Sequence, residues 1–166
     1  MKVQDIIGRL ALTPHPEGGF FREVYRAGES IAADHLPPRY SGKRAASTSI
    51  FYLLTKETFS TMHRVQSDEI FHFYLGDPVE QLLLHENGTS EVVRLGQNFM
   101  DGERLQSLVP HGVWQGATLL GSGEFALLGA TVAPGFDFAD YEEGTRAELS
   151  RQYPLVTEMI CKLTRR

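Results

Sequence analysis

Apolar residues first recur at helical spacing. Val3, Ile6, Ile7 and Leu10 fall at i, i+3, i+4 and i+7, which predicts a short helix with one buried face. The stretch TPHPEGG, Thr13 to Gly19, cannot continue it, and its glycines allow positive φ or a close backbone approach. From Phe20 to Arg26 the pattern alternates, with Phe20, Arg22, Val24 and Arg26 on one face and Phe21, Glu23 and Tyr25 on the other. Which face points inward is open at this stage. The polar, Pro- and Gly-punctuated run AGESIAADHLPPRYSGKR reads as an exposed loop.

Strand-like segments then follow closely. They are STSIFYLLT, TFSTMHRV, EIFHFYL, VEQLLLHE, TSEVVRL, RLQSLVP, VWQGATLL and GEFALLGATVAPGF. Asn87-Gly88 between two of them is a two-residue hairpin signal, and QSD between two others reads as a turn. Such a turn would make a hairpin that brings His63 and Glu69 together, with Phe71 and Phe73 beside Glu69 and with Ile70 and His72 opposed. Helix returns at the end. Thr145 and Glu148 form a capping-box pattern, Pro154 separates two short helices or opens the second, and Val156, Met159, Ile160 and Leu163 make a final apolar stripe. Many short strands without interleaved helices predict an all-β antiparallel sandwich or barrel, with one domain over residues 1–166.

A net charge of −5 and the lack of any Lys/Arg cluster argue against nucleic acid as a partner. The opening MKVQDIIGRLAL reads as neither a signal peptide nor a membrane span, so a cytoplasmic protein is expected. Cys161 is the single cysteine, which excludes an intrachain disulfide; its place in an apolar pattern reads as a small core or interface residue.

The stretch HRVQSDEIFHFYLG concentrates polar groups in an apolar strand pattern, where they need partners. The spacing of His63, position 65, Glu69 and Gly76 resembles the first motif of the cupin superfamily: a histidine, a second histidine two residues on, then a glutamate and a glycine. PHGVWQ resembles the second motif, with Pro110 and Gly112 in place and Gln115 where that motif ends in histidine. Together with PHPEGGFFREVYR, TSIFYLL and VAPGFDFADYE, these segments are similar to the cupin-5 group of compact one-domain cupins. The resemblance implies a double-stranded β-helix, or cupin jelly roll, with a short N-terminal helix and C-terminal helices. It also implies a homodimer.

Metal-binding cupins usually hold their ion with three histidines and a glutamate. In this chain Val65 and Gln115 stand where two of those histidines would be; valine has no donor atom and an amide is a poor ligand for zinc, iron or copper. The expectation is therefore a metal-independent small-molecule-binding protein without cofactor. His63 is the candidate base and Glu69 the group that orients it. Gln66, His72, Trp114, Gln115, Arg22, Glu23 and Tyr25 are candidates to contact the ligand, with Arg22 or Arg26 available to an anionic group and Tyr25, Tyr52 or Tyr74 to donate a proton. Cupin-fold sugar-nucleotide epimerases use a barrel histidine without metal, and that similarity of fold implies a carbohydrate or nucleotide-sugar ligand and, if the protein is an enzyme, epimerase- or isomerase-like chemistry. Two alternatives stand beside this reading: a metal-dependent oxidoreductase or isomerase with one divalent transition metal on His63 and Glu69, and a non-catalytic binding or scaffold protein. Simpler readings also exist for single residues. Taken alone, His63 and Glu69 read as hydrogen-bonded structure, Phe51, Phe59, Phe71 and Phe73 as core, and Asp137, Asp140, Glu142 and Glu143 as a solvated segment.

Overall fold

The computed structural model describes residues 2–165. Helix α1, Val3–Leu10, forms as its spacing predicts, and its apolar face packs with Leu53 and Leu127 against the outside of a sheet. Nine main strands follow: β1 Phe20–Arg26, β2 Thr48–Thr55, β3 Ser60–Arg64, β4 Asp68–Gly76, β5 Val79–Leu84, β6 Ser90–Leu95, β7 Gln106–Val109, β8 Trp114–Leu119 and β9 Phe125–Ala133. Helices α2, Arg146–Gln152, and α3, Thr157–Lys162, close the chain.

Two antiparallel sheets carry these strands. The larger has the order Thr13–Pro14, β1, β2, β9, β4, β7, and the smaller Glu142–Glu143, β3, β8, β5, β6. Their inward faces share a core that includes Tyr52, Leu54, Phe71, Phe73, Leu83, Val93 and Leu128. The C-terminal helices cover the outer face of the smaller sheet through Leu149, Tyr153, Ile160 and Leu163, packed on Met62, Leu82, Leu84 and Trp114. Thr145 caps α2 by accepting from the Glu148 amide, and Pro154 opens the short 3-10 turn that leads into α3.

Several expectations need correction. β3 and β4 do not form a hairpin: they lie in different sheets, and Val65–Ser67 turns the corner between them. That corner is held from outside, by Arg39 donating to the Gln66 carbonyl at 2.8 Å and by Tyr40 bonding Ser67 at 2.9 Å. The loop after β1 is thus more than an exposed connection. Tyr40 and Arg44 are buried, and Ser30–Ile31 pairs with Arg44–Ala45. The β5–β6 turn has three residues rather than two: His85 and Thr89 pair by backbone, the Gly88 amide closes a turn onto His85, and Gly88 takes φ 83°. Asp140 is buried, not solvated, and pairs with Arg44. Cys161 is exposed, because Ile160 beside it takes the position facing the sheet.

β1 departs from strict alternation. Glu23 pairs with Ile50 but Tyr25 with Ser49, so Val24 is an extra residue in a bulge. The bulge restores Arg26 to the inward face that Phe21 and Glu23 share, and leaves Arg22, Val24 and Tyr25 outside.

Candidate functional site

One end of the space between the sheets stays open as a cavity of about 320 Å³. Its wall is apolar, with Phe21, Ile50, Val65, Ala130 and Val132, and its depth is polar, with His15, Glu17, His63 and Glu69. A few convergent polar groups in an apolar concavity are the ordinary form of a small-molecule site.

Glu17 reaches this depth because of the glycines behind it. Gly18 and Gly19 take φ 111° and 72°, and a Cβ on Gly18 would run into the Phe59 carbonyl oxygen. The loop can therefore lie directly on the sheet. The Thr61 amide fastens it by donating to the Glu17 carbonyl at 2.9 Å, and the Tyr52 hydroxyl donates to the Gly18 carbonyl at 2.7 Å.

His63 and Glu17 form the innermost pair. His63 Nδ1 lies 2.7 Å from the Thr61 carbonyl, which can only accept, so Nδ1 carries a proton. Nε2 faces Glu17 Oε2 at 3.1 Å. The Tyr141 ring stacks over the imidazole with centroids 5.4 Å apart. Glu69 is held separately: Gln115 Nε2 donates to its Oε2 at 2.6 Å, and Gln81 Nε2 donates to Gln115 Oε1 at 3.2 Å. Gln115 is thus fixed with its amide nitrogen toward the carboxyl. Glu69 Oε1 has no hydrogen-bond partner among the described residues, and Glu69 lines the cavity.

Burial sets the protonation of all four groups. It pushes the Glu17 carboxyl up from 4.5 to about 8, against an opposing hydrogen bond from Ser60. Burial, and then the neighbouring Glu17, raise Glu69 to about 7. Burial lowers His63, although Glu69 acts in the other direction, and burial together with His63 lowers His15 to about 4. For the His63–Glu17 pair the neutral form follows: Glu17 holds its proton and faces an unprotonated Nε2.

The mouth is built from β1 and the strap after β9. Arg26 donates from Nε and Nη2 to both carboxylate oxygens of Glu23, at 3.0 and 2.7 Å, and from Nη2 to the Phe136 carbonyl at 3.3 Å. Phe136, Asp137 and Phe138 complete the rim. The strap is anchored by a bidentate pair in which Arg44 meets Asp140 at 2.7 and 2.5 Å, with both side chains 4% exposed.

The donor set does not fit a metal ion. Val65 has no donor atom, both His63 nitrogens are engaged by protein groups, and the Gln115 carbonyl oxygen is taken by Gln81. Among the described residues no three His, Cys, Asp or Glu side chains are arranged to hold an ion.

Of the residues singled out from the sequence, His63, Glu69 and Glu23 line the cavity, and Gln115 stands behind Glu69. His63 is not oriented by Glu69, since its carboxyl partner is Glu17. The other candidates lie elsewhere. His72 is on the outer face, bonded to Thr131 and Gln106. Trp114 faces the C-terminal helices and carries the Arg64 guanidinium on its ring, 4.4 Å from the centroid. Gln66 sits in the corner turn outside the cavity, Arg22 lies over Phe51, and Tyr25 is 54% exposed. Glu17 and Tyr141 were hidden from strand logic because each lies outside the main strands. A signal for Glu17 did exist, in its position between His15 and the glycine pair.

The family described as Cupin_5, Cupin superfamily (DUF985), matches residues 4–143. An uncharacterised protein of Saccharomyces cerevisiae, YML079W, is 30% identical over 147 residues, 84% of this chain and 73% of that protein. A hypothetical protein from Leishmania major is similar in structure with a TM-score of 0.88 and 30% identity, covering the whole of both chains. Protein SO0799 from Shewanella oneidensis gives 0.88 and 32%, over 99% of this chain and 98% of that one. Oxalate decarboxylase from Bacillus subtilis shares the fold alone, with a TM-score of 0.53 and 15% identity over 90% of this chain and 36% of that one.

Proposed function

The chain belongs to the Cupin_5 group of the cupin superfamily, and from that premise we propose that it is a metal-independent small-molecule-binding protein whose barrel mouth performs acid–base chemistry. The observation that carries this reading is the His63–Glu17 contact of 3.1 Å at the floor of the cavity, with Nδ1 committed to the Thr61 carbonyl. A buried neutral acid–imidazole pair can give up the Glu17 proton or take a second one at His63, the exchange that isomerisation and epimerisation need. Glu69, raised to about 7 and with one oxygen free, is poised beside it to receive a polar group of the ligand. The substrate belongs to the class of small polar molecules that a cavity of this size can enclose.

Elemental analysis of protein purified without chelator, with His63→Ala alongside, tests the metal-independent part. The expected result is no stoichiometric metal in either. Near one ion per chain, lost in His63→Ala, would replace this reading with a metal-dependent enzyme. A ligand found by screening should lose affinity in His63→Ala and Glu17→Gln while the fold survives; unchanged affinity would leave a non-catalytic scaffold. A homodimer belongs to the same proposal. The cross-strand partners Ile70 and Leu108 are 38% and 56% exposed on the outer face of the larger sheet, and light scattering that returns a monomer mass would remove it.

A further inference from the structure

The charge of the cavity narrows its ligand. Four carboxyl side chains line it, Glu17, Glu23, Glu69 and Asp137, and its one guanidinium belongs to Arg26. That guanidinium is spent: two of its nitrogens bind both oxygens of Glu23, and one of these also reaches the Phe136 carbonyl. His63 Nδ1 is committed to a backbone carbonyl, and the other imidazole in the cavity, His15, accepts from the Glu17 amide at 3.2 Å. No cation among the described lining residues is left to meet a phosphate or carboxylate. Anion sites are built from free guanidinium, ammonium or backbone amide donors, and the floor of this cavity has instead an acceptor, Glu69 Oε1, without a partner. Glu69 is 8% exposed and faces into the cavity. At the rim, the Phe136 and Phe138 rings meet edge to face with centroids 5.0 Å apart, beside the Asp137 carboxylate. Aromatic faces next to carboxylates suit a positive charge.

We infer that the ligand of this site is a small amine, entering as its ammonium cation past the Phe136–Phe138 rim and pairing with Glu69 Oε1 on the floor. The inference rests on the small-molecule reading above and names its substrate class. The site disfavours phosphorylated sugars and sugar nucleotides, because each would bring negative charge against Glu69 and Asp137 with no free counter-charge in the lining. Gln115, fixed by Gln81, keeps one Glu69 oxygen occupied and so turns the other toward the ammonium.

Thermal unfolding and titration calorimetry near neutral pH test this with three probe sets: ethanolamine and 1,4-diaminobutane, glucose, and glucose 6-phosphate with UDP-glucose. The amines should bind saturably and raise the melting temperature. Glu69→Gln should weaken them by about tenfold or more, the worth of a charge-assisted hydrogen bond. Asp68→Asn, one residue away but exposed and bonded to His111, should leave them unchanged. Binding of the phosphorylated probes at this cavity, undiminished or improved by Glu69→Gln, would overturn the amine inference and leave the small-molecule reading standing. So would glucose binding where the amines do not. Failure of every probe to bind, with Glu69→Gln indistinguishable from the parent, would overturn both.

Discussion

The two ends of the barrel differ along the same strands. On β2 the inward positions run Thr48, Ile50, Tyr52, Leu54 from the open end to the closed one, on β4 Glu69, Phe71, Phe73, and on β9 Val132, Ala130, Leu128, Ala126. The closed end fills its volume with Tyr52, Leu54, Phe73 and Leu128. The open end mixes apolar Ile50 and Val132 with polar Thr48 and Glu69 and leaves about 320 Å³ unfilled. At these positions both ends keep the same two-residue period, so the period describes the strand and the identity of the inward residue distinguishes site from core. Polar residues at the open end are tolerated because most of their groups meet another: Glu17 faces His63, Gln115 holds one oxygen of Glu69, and Gln81 holds Gln115, while Glu69 Oε1 and Gln81 Oε1 have no partner among the described residues.

The largest effect is expected at the strap that frames the open end. Arg44→Ala leaves the Asp140 carboxylate buried without its partner, which should cost about 3–5 kcal/mol in chemical denaturation. A loss below about 1 kcal/mol would mean that the strap is held by other contacts. Leu128→Ala at the closed end should cost about 2–5 kcal/mol by leaving a cavity, yet leave the affinity for a pocket ligand unchanged. If instead it altered binding, the two ends would be coupled and the contrast between them would fail.

Next comes pH. Glu17 and Glu69 hold their protons more tightly folded than unfolded, with values of about 8 and about 7 against 4.5. Their contribution to stability is therefore complete below 4.5 and is lost as pH rises through those folded values. His15 and His63 do the reverse: both are lowered from 6.5, His15 to about 4, so their contribution is complete above 6.5 and is lost as pH falls. Above pH 6.5 only the carboxyls act, and the melting temperature should fall as pH rises toward about 8. Glu17→Gln should flatten that slope; a slope identical to the parent's would remove Glu17 as its source. The smallest effect belongs to the outer face. Arg22→Ala should change stability by about 0.5 kcal/mol or less and ligand binding not at all, and a clear loss of binding would return Arg22 to the site.

Much of this architecture is legible in the sequence. Alternation located the strands, and the i, i+2 rule correctly set Glu69 with Phe71 and Phe73 facing in and His72 facing out. What alternation cannot reveal is which strands pair. QSD looks like a hairpin turn, but it is a corner between sheets, because β3 pairs with β8 and Glu142–Glu143 and β4 with β7 and β9, all far along the chain. Nor can it foresee a bulge, and the single extra residue Val24 was enough to move Arg26 to the inner face. Trp114 lies next to Gln115 and therefore points to the opposite side, into the helices. Glu17 enters the site from a loop, where no period applies. Only its glycine neighbours hint that the backbone there approaches the sheet closely.

The protonation of His63 tests the central claim most directly, since the open end is argued to hold a neutral acid–imidazole pair. Nitrogen-15 NMR of the His63 ring near pH 6.5, with His63→Gln for assignment, should show Nδ1 protonated and Nε2 unprotonated. Glu17→Gln should keep this tautomer but shift the Nε2 signal. An Nε2-protonated neutral ring, or an imidazolium that persists above pH 8, would contradict the arrangement from which the proposed chemistry is built.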